Sequence, residues 1–131
     1  MTINQFEEIE GWQMARLVCQ EIYTITAETD LGSDFSLNDQ MLRSSGSIMD
    51  NIAEGFDAGS NREFVRFLHY SKRSCSELQS QLYRCLDRQY FNETRFDELY
   101  EKVGDNRSKI GGFIRYLTRN VDARTISDSF H

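Results

Sequence analysis

Arg62, Arg66, His69 and Arg73 recur at i, i+4, i+7 and i+11, with Lys72 beside them. On a helix that spacing lines the groups along one face. A row of cations can track a phosphate backbone, each neutralised phosphate releasing counterions. The same row also serves as a solvated helix face, or as a partner for acids of a neighbouring copy. Tyr70 and Tyr83 stand nearby and could stack on bases or fill an oligomer contact. Arg62, Arg66, Lys72 and Arg73 are thus the candidates for nucleic-acid binding.

Other chemistry finds little to build on. Asn51 and Glu54 are one helical turn apart, but acid–base work would need a second carboxylate, a histidine or a metal in reach. The only histidines are His69 and His131. Asn51 and Glu54 are therefore expected to be structural, holding the turn that follows, or pairing with Arg43 or Arg66. Glu7, Glu8 and Glu10 crowd a helix start, where the helix dipole favours acids. A di-iron bundle would need inward Glu-x-x-His pairs, and none occurs. Gly55-Phe56-Asp57-Ala58-Gly59 lacks the lysine of a P-loop, and no nucleophile elbow is present. Cys19, Cys75 and Cys85 have no metal-ligand spacing. They read as small core hydrophobes. No cofactor, metal or small-molecule substrate is expected, and no enzymatic activity.

The elements that carry these residues are helical. The chain has 131 residues, enough for one domain over 1–131 with a sizeable core, and it contains no proline. No apolar run approaches the roughly 20 residues that span a bilayer. The N-terminus lacks signal-peptide order, so a cytoplasmic protein is expected. Net charge is −6, with −9 on residues 1–59 and +3 on residues 60–131. That asymmetry does not match the strongly basic domain typical of nucleic-acid binders.

Apolar residues recurring at steps of three and four predict four amphipathic helices at about 10–29, 36–55, 61–89 and 94–118, with a frayed polar tail at 121–131. The first is predicted to bury Trp12, Ala15, Cys19, Ile22, Tyr23 and Thr26, with Met14, Val18 and Ile25 widening the stripe. Gly32 in the next loop is free to take a left-handed conformation. The second helix opens at Ser36, with Asp39 three residues on, and is capped at its end by Gly55. Its inward line is Leu37, Met41, Ser44 or Ser45, Ile48, Ile52 and Ala53. The small run Ser44-Ser45-Gly46-Ser47 allows another helix to come close. Ser60 and Glu63 form a capping box for the third helix. Phe64, Leu68, Ser71, Cys75, Leu78, Leu82 and Cys85 give that helix a heptad seam. The fourth, starting at Asn92 or Thr94, continues with Phe96, Leu99, Val103, Ile110, Phe113 and Leu117, Asn106 filling the missing step. Short links make this an all-α, up-down-up-down four-helix bundle. Met14, Leu17, Ile25, Met49, Phe56, Tyr70 and Tyr83 lie off the seams, and surplus apolar surface marks self-association.

Several strings resemble a known family. They are Trp12-Gln13-Met14-Ala15 and Ile22-Tyr23; Gln40, Arg43 and Ser47-Ile48; Asn51-Ile52-Ala53-Glu54-Gly55; Glu63-Phe64-Val65-Arg66-Phe67-Leu68; and Ser74, Glu77-Leu78 and Gln81-Leu82. Their order over roughly residues 6 to 117 resembles the bacterial four-helix-bundle proteins first noticed as reading frames inside intervening sequences of 23S ribosomal RNA genes. The accessory variability proteins of diversity-generating retroelements are similar in fold. The resemblance implies a homopentameric ring. Leu42 stands where members often carry a first arginine before Arg43, and Arg73-Ser74 replaces a usual Gly-Ser. Members that bind nucleic acid are strongly basic, whereas this chain is acidic. The expectation is a non-enzymatic homo-oligomeric scaffold with itself as partner. The alternative is an accessory factor that binds structured RNA, DNA or a retroelement reverse transcriptase.

Overall fold

The computed structural model describes residues 2–119. Four helices follow one another: α1 (Glu10–Glu28), α2 (Phe35–Phe56), α3 (Asn61–Asp87) and α4 (Glu93–Arg119). Short 3₁₀ turns precede α1 (Phe6–Glu8) and α2 (Asp30–Ser33). Each helix packs against its chain neighbour, and α1 closes the bundle against α4. Links this short leave consecutive helices antiparallel, so the all-α up-down-up-down bundle is the fold. The expected tail at 121–131 lies outside the described residues.

The α3 seam is buried throughout, from Phe64 to Cys85. Phe64 sits at its head, edge-on to Phe56 at 6.0 Å and to Phe113 at 5.5 Å between ring centres. Removing a Leu or Phe side chain from water contributes about 1.5–3 kcal/mol, so this one stripe supplies much of the driving force. The small run on α2 does bring α3 close. Ser71 donates to the Ile48 carbonyl, and Ser74 Oγ lies 2.9 Å from Ser47 Oγ.

Several local expectations are corrected. Asp34, not Ser36, caps α2, its Oδ1 accepting from the Leu37 amide at 3.4 Å. Gly55 is not a C-terminal cap but a buried residue of the last turn of α2, and the positive φ falls at Gly59. Gly32 keeps a negative φ; a Cβ there would meet the Thr26 carbonyl at 2.6 Å. Ser60 Oγ does accept from the Glu63 amide at 3.1 Å, but the Glu63 carboxylate turns to Arg66, leaving half a capping box. Asn92 caps α4. Tyr23 is 69% exposed, because Val18 and Ile25 take the inner face of α1. Ile114 is buried where Phe113 was expected, while Ile25 and Phe56 belong to the core rather than to surplus surface.

Candidate interaction surfaces

The best-defined polar structure is the seam between α2 and α3. Arg84 donates to Gln40 at 3.1 Å, Ser44 to Glu77 at 3.0 Å, and Ser47 meets Ser74. These rungs repeat about every helical turn because both helices present small or flexible polar groups at the approach. They fix the register of α3, and hence which of its faces looks outward. Asn51 joins this seam within its own helix. Its Nδ2 donates to the Ser47 carbonyl and hydroxyl, both at 2.9 Å. The expected bonds to the turn or to α3 are not made. Glu54 is exposed and pairs with neither candidate arginine, since Arg43 is held by Asp39 and Arg66 by Glu63.

The four candidate cations do not form one site. Arg62 is exposed near the start of α3. Arg66 pairs with Glu63 at 3.0 Å and also covers Tyr70 at 5.7 Å, while Arg73 lies over the same ring at 5.4 Å. Lys72 and Arg73 instead turn to α4. With His69, Ser76 and Arg107 they line a shallow groove of about 190 Å³ between the two helices. Arg115 extends it. Its guanidinium and the Lys72 ammonium come within 3.6 and 3.8 Å of the space a Cβ on Gly111 would fill. No carboxylate lines this groove, and among the described residues none of Lys72, Arg73, Arg107 and Arg115 has an ion-pair partner. Like charges gathered without acids leave a field that favours an anion. Sequence reasoning missed Arg107 and Arg115. Their signal was the spacing Arg107–Gly111–Arg115, which places two cations either side of a glycine on one face of α4.

A surface of opposite sign lies on the last turns of α2 and the residue that caps it. Asp50, Glu54 and Asp57 are all exposed and stand at i, i+4 and i+7. None has an ion-pair partner among the described residues. Beside them, a groove between α1 and α2 is lined by Cys19, Tyr23, Leu42 and Ser45. Among the described residues, Leu17 at 61%, Tyr23 at 69% and Phe35 at 79% are the most exposed large apolar residues. A further cleft of about 390 Å³ between α1 and α4 has Met14, Leu17 and Val18 on its floor, and the Glu21–Lys102 pair at 2.7 Å on its rim.

Titratable groups are tuned by structure rather than gathered for reaction. Burial pushes the Cys75 and Cys85 thiols up to about 12 and raises Cys19 as well. Cys19 Sγ donates to the Ser45 carbonyl at 3.1 Å. Asp34 is held below the usual carboxylate range, first by the Tyr90 hydroxyl at 2.7 Å and then by Arg88. Among the described residues no three of His, Cys, Asp and Glu are grouped to hold a metal ion. No helix among them is long and apolar enough to cross a membrane.

The family model described as 23S rRNA-intervening sequence protein matches residues 7–112. No curated protein matches. A solved structure of a protein of unknown function from the S23 ribosomal protein family of Bacteroides thetaiotaomicron aligns with a TM-score of 0.73 at 17% identity, covering 81% of this chain and 96% of that one. At that identity the likeness speaks for the fold.

Proposed function

The chain belongs to the 23S rRNA-intervening sequence protein family, and from that footing we propose that it acts as a homo-oligomeric scaffold rather than as a catalyst. The observation that carries this reading is the exposed apolar set Leu17, Tyr23 and Phe35, with Leu42 partly exposed, on α1 and the first turns of α2. Tyr23 and Leu42 share the groove between α1 and α2 while Leu17 borders the cleft between α1 and α4, and exposed large apolar groups mark protein contacts. The scaffold is a ring of five copies, and three free cysteines suit a reducing compartment such as the cytoplasm. Sedimentation velocity tests it. The expected particle has five times the 15.3 kDa of the chain, and a monomer at every concentration overturns the reading.

A second reading is favoured by the cationic groove between α3 and α4. Lys72 and Arg73, joined by Arg107 and Arg115, would hold the phosphates of a structured RNA or of DNA; Arg62 and Arg66 would add only peripheral charge. A titration with duplex and hairpin RNA checks it. Binding must weaken steeply as salt rises, and Lys72→Ala with Arg73→Ala must reduce it. Binding that ignores salt removes the reading.

A further inference from the structure

We propose that the acidic row Asp50–Glu54–Asp57 on α2 of one copy seats in the Lys72–Arg73–Arg107–Arg115 groove of the next, so that the copies join head to tail. The proposal rests on the scaffold reading and names the two surfaces that make the contact.

Four observations support it. The two surfaces are of opposite sign, exposed apart from the half-buried Lys72, and without ion pairs among the described residues. Their lengths match. Asp50 to Asp57 spans about 10 Å of helix, and Arg107 to Arg115 about 12 Å. Their relief matches too. Gly46 lies one turn before Asp50 on α2, and nothing stands within 4 Å of where its Cβ would be, so the acidic helix is flat there. Gly111 in turn lets the Lys72 and Arg115 heads lie low against α4, 3.8 and 3.6 Å from where its Cβ would be. Finally, the surfaces do not overlap. One is the outer side of α2 and the other the junction of α3 with α4, so one copy can use both at once.

A contact between two different patches is heterologous, and it closes into a ring when the rotation between copies allows. Leu42, two turns before Asp50 on α2, and Tyr23 of α1 line one groove and add exposed apolar surface farther along. A second copy of this chain is favoured over nucleic acid as the anion in the groove. The acidic row of a second copy supplies carboxylates of the length and sign the groove takes, on a surface with no ion-pair partner among the described residues.

Charge reversal tests the pairing on the full chain. Two double variants, Asp50→Lys with Glu54→Lys and Arg73→Glu with Arg107→Glu, change only exposed side chains, and circular dichroism melts verify that each folds. In sedimentation velocity each should lose the assembled species at concentrations where the parent retains it. The quadruple variant sets the introduced lysines against the introduced carboxylates and should recover assembly in part. Parental mass in either double, or a quadruple variant that stays monomeric, overturns the pairing. Groove variants that lose RNA binding while keeping their mass also overturn it, and assign the groove to nucleic acid. A monomeric parent overturns the scaffold reading itself, and the two failures are thereby distinguished.

Discussion

Phe67 occupies the place a side chain on Gly55 would need. A Cβ on Gly55 would lie 2.7 Å from Phe67 Cβ and 2.9 Å from the Phe64 ring, so α2 ends in direct contact with the first turns of α3. Phe67 Cβ is fixed to the backbone and cannot swing away. Gly55→Ala is therefore expected to destabilise the bundle by about 1–3 kcal/mol, the usual range for overpacking. Gly46, with open space around it, behaves oppositely. Gly46→Ala should gain up to about 1 kcal/mol in helix propensity. Urea unfolding of both variants measures the contrast. If Gly46→Ala also loses assembled mass, the outer side of α2 is in contact with another copy.

Glu54→Ala separates stability from assembly. Its carboxylate is exposed and without an ion-pair partner among the described residues, so the stability should stay within about 0.5 kcal/mol of the parent. Assembly should weaken. A large loss of stability with unchanged mass would return Glu54 to a purely structural role.

Asp34 couples the start of α2 to the link between α3 and α4. One oxygen caps Leu37, and the other accepts from Tyr90 and Arg88. Its folded pKa is lowered, so its contribution is present above the unfolded value of about 4 and is lost as pH falls through the folded one. Tyr90→Phe removes the largest cause of that shift. The acid-unfolding midpoint of this variant should move to higher pH, which a tryptophan-fluorescence titration at Trp12 reads. An unchanged acid limb would show that Arg88 alone sustains the shift.

The buried thiols give the opposite sign at alkaline pH. With folded values raised to about 12, Cys75 and Cys85 favour the fold fully below the unfolded value of about 8.5. Their contribution declines as pH rises from there toward 12, because the unfolded chain ionises first. Cys75→Ala with Cys85→Ala should flatten the loss of stability between about pH 8.5 and pH 11. In native protein at neutral pH only Cys19, half-buried, should react with an aromatic disulfide reagent. Cys75 and Cys85 should become reactive only on unfolding.

The α3 seam was readable in advance because seven residues hold one heptad phase and every one proved to be buried. Helix ends were less readable. Ser36 looked like a cap, but Asp34 is closer to the first free amides and is also held by Tyr90, 56 residues away. Tyr23 looked inward by its spacing, yet Val18 and Ile25 define a face rotated away from it. The candidate cations were half legible. Lys72 and Arg73 reach the groove, but Arg107 and Arg115 could not be grouped with them before the packing of α3 on α4 was known.

Sequence alone determined four helices, their antiparallel order and the family likeness, because periodic burial and link length act locally along the chain. Tertiary structure decided which charges meet. Helical periodicity gives each residue an angle about its own axis but says nothing of the rotation and register between axes. Those are set by the Ser47–Ser74 and Gly55–Phe67 contacts, which turn Lys72 toward Arg107 and leave Asp50, Glu54 and Asp57 facing outward.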